Sequence, residues 1–181
     1  MAIYTVFEST NMGSTHYAER IMDAVCDVDL ENGMFGYLDG LAEGQSHIYN
    51  FKVGTKKGAK VVVVDQPAWN EDECRKTNQR RDQFHIPAGQ PFRCRVVKVY
   101  DEFAISIEGV TPATREAMKV GAHLTIDNAT GRLVAAAAAA EDAVMDAEVM
   151  RQRVMGGTLM TPIRNYASSK VMYTAKINVL A

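Results

Sequence analysis

Residues 92–110, FRCRVVKVYDEFAISIEGV, decide how this chain is read. Phe92, Cys94 and Val96 alternate with Arg93 and Arg95, the period of two that gives a strand one apolar and one wet face. The stretch predicts two strands, Phe92 to Tyr100 and Phe103 to Ile107, turning at Asp101-Glu102.

Working outward, the same grammar recurs. HLTIDNATGRLV (123–134) reads as a hairpin with its turn at Asp127 to Gly131. KVVVVDQP (60–67) is an apolar β-branched run, the mark of a central strand, ended by Pro67. SHIYNFKV (46–53) alternates, and LENGMFGYLDG (30–40) places an Asn32-Gly33 turn before a strand from Met34 to Leu38. KVMYTAKINVL (170–180) alternates again. Short strands divided by turn residues predict an antiparallel sandwich or barrel, because no regular helices intervene as they would in a parallel α/β sheet.

The N-terminal AIYTVFE (2–8) predicts a strand, or an extended arm over residues 1–13 laid on another surface. STHYAERIMDAV (14–25) follows, with Ser14 or Thr15 as N-cap and Tyr17, Ile21 and Val25 at helical spacing, and predicts a short helix. A second helix is expected in residues 134–155. There Ala136, Ala140, Ala143, Ala147, Met150 and Val154 form a helical seam that Gly156-Gly157 would stop. EVMRQRV also alternates, so a helix to about Ala147 followed by a strand stands as the alternative. The expected fold is one mainly β (α+β) domain over residues 1–181, sandwich- or barrel-like, with one short N-terminal helix and one alanine-rich C-terminal helix.

Residues 69–91, WNEDECRKTNQRRDQFHIPAGQP, are polar and aperiodic, and predict a long exposed loop. Trp69 beside this run suits an interface anchor or a core position equally; the mixed charges are those of a solvated face, though several arginines at one edge, Arg80 and Arg81 among them, are also common at protein interfaces.

The chemistry-bearing residues do not converge in sequence. GTKKGAK (54–60) has three residues between its glycines where a phosphate loop needs four, and Val61 stands where Ser or Thr would follow the lysine. CDVDLENG (26–33) spaces Asp27, Asp29 and Glu31 like a calcium loop but has Asn32 and Leu38 where glycine and glutamate belong. His16, His47, His85 and His123 stand singly, and Cys26, Cys74 and Cys94 form no CxxC pair, so three reduced and mostly buried thiols are expected. Cys94 should face away from Arg93 and Arg95, into the core. No nucleophile, base and orienting group are assembled, so neither catalysis nor a metal or cofactor is expected. A net charge of −2 gives no electrostatic reason for nucleic acid or an anionic membrane. No apolar run approaches the roughly 20 residues of a membrane span, and the start lacks the features of a secretion signal, which points to a chain made and kept in a cytoplasm.

The succession VDLENGMFGYLDG, FHIPAGQPFRCRVVKVYDEFAIS and VGAHLTIDNATGRLV resembles the auxiliary capsid proteins of tailed bacteriophages, the head decoration or cement proteins, over residues 28–134. The alanine region departs from their compact members. The resemblance implies a non-enzymatic β-rich protein on the outer surface of a virion capsid. Its partners would be the major capsid protein and copies of itself, as a homotrimer or other small homo-oligomer. Tyr4, Phe7, Trp69, Arg80, Arg81, Ala136, Ala140, Ala143 and Ala147 are the candidate contact residues. A tail or baseplate role lies close to this one. From a different class, the alternative is a small cytoplasmic β-barrel that binds a ligand or acts as an enzyme through a pocket near Tyr49, His85 and Arg93.

Overall fold

A computed structural model describes residues 3–15, 21–68, 81–155 and 170–181. The mainly β expectation holds, in the form of two packed modules. Strands β2 (Ile21–Val25), β3 (Phe35–Leu41), β4 (Ile48–Val53), β5 (Val61–Val64) and β6 (Phe92–Val96) close a barrel in the order β2-β4-β3-β5-β6. Strands β1 (Phe7–Asn11), β7 (Glu102–Ser106), β8 (His123–Ile126), β9 (Leu133–Ala136), β10 (Met145–Met155) and β11 (Lys170–Leu180) form a sheet in the order β1-β7-β11-β10-β8-β9. Among the described strands every ladder is antiparallel except β2 with β4, and the isolated Val110–Leu133 bridge is parallel as well.

The valine run explains how the modules meet. Val62 and Val64 point into the barrel beside Phe51, Phe92 and Cys94, while Val61 and Val63 point out of it. The outward pair joins a second core with Phe35, Phe103, Ile105, Leu124, Leu133, Val149 and Ile177. An apolar strand without alternation is buried on both faces, and β5 is the wall between two cores. The β8–β9 turn then seats on the barrel end. The Phe35 N–H donates to Gly131 O at 2.7 Å, and the Thr55 N–H and hydroxyl donate to Asn128 Oδ1 at 2.9 and 2.7 Å. Gly131 has φ 69°, and a Cβ there would lie 2.6 Å from Phe35 O, so neither the conformation nor the space admits a side chain.

Three expectations need correction. Ile21–Val25, assigned to the N-terminal helix, is strand β2, hydrogen-bonded to both β4 and β6; Ser14 lies in a single 3-10 turn, and 16–20 fall outside the described residues. The alanine-rich helix over 134–155 does not form. Its start is the end of β9, residues 137–144 are a mostly exposed connection, and β10 begins at Met145, so the alternative with a helix to Ala147 fails as well. Alanine has the highest helix propensity, but an isolated helix of this length is marginal in water, and ladder pairing outcompetes it. The small side chains have a sheet role. Ala135 and Ala147 lie opposite Leu124 on its two sides, and all three are buried. Finally, the two strands of residues 92–107 are no hairpin: β6 belongs to the barrel and β7 to the sheet, and residues 97–101 carry the chain across.

Candidate functional site

The crossing at residues 97–101 is held in place by its own hydrogen bonds. Asp101 accepts from the backbone N–H of Lys98 at 2.9 Å and of Gly13 at 2.8 Å through its two carboxylate oxygens. The Tyr100 N–H donates to Ile177 O at 2.8 Å, and the Ile177 N–H donates to Asp101 O at 3.0 Å. These bonds hold Tyr100 at φ 72°, which is costly for a bulky residue, and present its ring to solvent at 73% exposure. Lys176 lies over the ring at 5.2 Å from its centroid, and Val99 and Val179 are exposed as well. An aromatic ring fixed on a rigid turn is the preferred kind of anchor for a protein partner.

A second cluster fastens the N-terminal segment. Residues 3–6 carry no regular secondary structure and lie on their own chain, and β1 joins its own sheet. Buried Glu31 accepts from the Thr5 N–H at 2.9 Å and the Thr5 hydroxyl at 2.8 Å, and its other oxygen accepts from Arg132. The Tyr4 N–H donates to Asp82 O at 2.8 Å, and the Val6 N–H donates to Ser106 Oγ at 3.0 Å. Lys170, itself buried, pairs with Glu108 at 3.1 Å. Burial pushes the Glu108 carboxyl up, but the Ser106 hydroxyl, the backbone N–H of Glu108 and the Lys170 ammonium outweigh it and hold it below the usual carboxylate range.

The sign of that shift gives a pH dependence. A carboxyl with a depressed folded-state pKa adds stability above its unfolded value of about 4.3, and the contribution disappears as pH falls through the folded value. Thermal melts of wild type and Glu108→Gln taken downward from about pH 6 should therefore converge in acid, the wild type losing more than the variant. Parallel curves would remove Glu108 from the account.

The candidate contact residues are not brought to one place. Tyr4 is half-buried and stacks on His85 at 4.9 Å, and Phe7 is core at 5% exposure. Arg81 is exposed and pairs with Glu8 at 3.4 Å, while Trp69 and Arg80 lie outside the described residues. Ala136 and Ala143 are half-buried, Ala140 is exposed, and Ala147 is fully buried. Of the alternative pocket, Arg93 and His85 are exposed on β6 and next to the Leu30–Ile86 bridge, and Tyr49 packs against the barrel core. Asp27, Asp29 and Glu31 diverge to Lys52, the Ala88 N–H, and the Thr5–Arg132 pair. Cys94 does face the barrel core, and burial, aided by the Asp23 carboxylate, pushes its thiol up to about 12, far from a nucleophile's range.

What the sequence did not mark is the exposed apolar surface: Tyr100, and Met150 and Val154 on β10. Alternation in 92–100 makes Tyr100 the end of a strand, and helical spacing makes Met150 and Val154 part of a seam. A cleft of about 560 Å³ between the barrel and the C-terminal residues adds Met22, Val61, Val96, Val97 and Leu180 with Lys60 and Lys98. No known protein family, curated protein or solved structure matches the chain.

Proposed function

We propose that this is a structural contact protein of a tailed-phage virion, bound to the outer surface of the capsid and stabilising the contacts between capsomers. Its partners in this reading are the major capsid subunit and copies of itself in a small homo-oligomer. The resemblance in residues 28–134 supports the class, and one observation of the structure carries it: the exposed Tyr100 ring on its clamped turn. Many modest contacts repeated over a lattice become a strong clamp collectively, so one rigid aromatic anchor per copy is enough.

Virions imaged by cryo-microscopy should show the chain at regular positions on the outer shell, and density on the tail alone would overturn the reading. Tyr100→Gly separates contact from folding. Glycine accepts the positive φ, so the melting temperature should hold or rise by the equivalent of up to about 1 kcal/mol, while capsid occupancy falls. Full occupancy by this variant would remove Tyr100 as the anchor.

A further inference from the structure

We propose that the outer edge of β10, residues 150–154, is a strand-acceptor site for an extended peptide in which carboxylate side chains alternate with apolar ones. The inference does not rest on the virion reading. β8 covers β10 only at Ala147 and Glu148, and residues 121–122 extend the cover to Val149, whose N–H and C=O bond to Ala122 and Gly121 at 2.9 and 2.8 Å. Beyond it the register shifts at Met150, and Arg151, Gln152, Arg153 and Val154 pair with Thr174, Tyr173, Met172 and Val171 of β11. Val149 turns its backbone groups away from β11, so the residue skipped at Met150 returns those of Arg151 and Arg153 to the β11 ladder. Gln152 and Val154 therefore direct N–H and C=O to the other edge, where nothing among the described residues bonds to them.

Such an edge is normally blunted by charged side chains laid over it. Here the charges lie across the sheet instead. Arg153 pairs with Glu8 on β1, and Arg151 Nε donates to Thr174 Oγ1 at 3.3 Å, leaving Arg151 with no carboxylate among the described residues. On the opposite face of the same edge Val154 is 62% exposed, and Met150, at the bulge, is 51% exposed. An added strand would therefore find backbone partners at Gln152 and Val154, a cation at Arg151 on one face and an apolar neighbour at Val154 on the other. That set selects acidic and apolar residues in alternation. A second copy fits worse, because antiparallel pairing about Gln152 would set Arg151 opposite Arg153, like charge against like.

The test uses the full chain and two capped peptides, Val-Glu-Val-Glu-Val and Val-Lys-Val-Lys-Val, titrated to millimolar concentration with amide shifts followed by NMR. The glutamate peptide should shift the Gln152 and Val154 amides, and the lysine peptide should bind at least about tenfold more weakly. Arg151→Glu should reverse that preference, an exposed change that leaves the β11 ladder untouched. Gln152→Pro removes the outward N–H and should abolish binding by both peptides. Equal binding of the two peptides, shifts elsewhere only, or an unchanged preference in Arg151→Glu would overturn the proposal. So would light scattering that shows a dimer of the chain alone, lost in Arg151→Glu, since the edge would then belong to a second copy.

Discussion

Glu31→Ala is expected to lower the free energy of unfolding by about 3 kcal/mol, read from denaturant midpoints at constant m-value. The carboxylate is buried and has three donors: the Thr5 N–H, the Thr5 hydroxyl and Arg132. Among the described residues, deleting it leaves a largely buried guanidinium with only the Glu108 carbonyl at 2.9 Å, and leaves the Thr5 N–H without its acceptor. The cost of a buried ion with its partner removed exceeds the net worth of the pair, so the double variant Glu31→Ala with Arg132→Met should recover part of the loss. If the single variant costs under about 1 kcal/mol, or the second change adds to it, Glu31 does not organise this region.

Phe103→Ala should cost about 4 kcal/mol in the same measurement, the usual range for a phenylalanine lost from a rigid core. The ring is 1% exposed and stands between Phe7 on β1 at 5.7 Å and Phe35 on β3 at 5.6 Å. One side chain thus joins the edge of the sheet to the wall of the barrel. A void there has rigid walls on both sides and cannot collapse. A cost under about 2 kcal/mol would mean that the two modules close over the gap.

How much of this was readable follows from where the information lies. Local signals were sufficient for β4, β5 and β11, and for the β8–β9 hairpin, whose turn at 127–131 was placed from its Asp, Asn and Gly. The four valines showed that β5 is buried on both faces, but not that two separate cores bury it. Closure of the barrel depends on β2 pairing in parallel with β4 and antiparallel with β6, contacts made far along the chain, and helical spacing in residues 14–25 pointed the other way. The alanines misled for the same reason: their helix propensity is local, and the Leu124 that needs small neighbours on both sides is not. Of the contact surface even less was visible. Tyr100 is one tyrosine in a strand-like run until its neighbours fix it at a positive φ, and Met150 and Val154 are an apolar pair on a stretch of β10 that β8, which begins only at His123, does not pair with.

The shared strand β5 bears on how the molecule would carry a load. Most two-module proteins meet at a linker, and a pull on one half is absorbed there as rotation. Here the partition between the halves is a strand that each half needs as its own lining, so bending one against the other would tear a core rather than open a hinge. The crossing that presents Tyr100 springs from the end of β6, the strand next to that partition. A tug on the ring would enter the stiffest part of the molecule first, and would arrive at both cores at once.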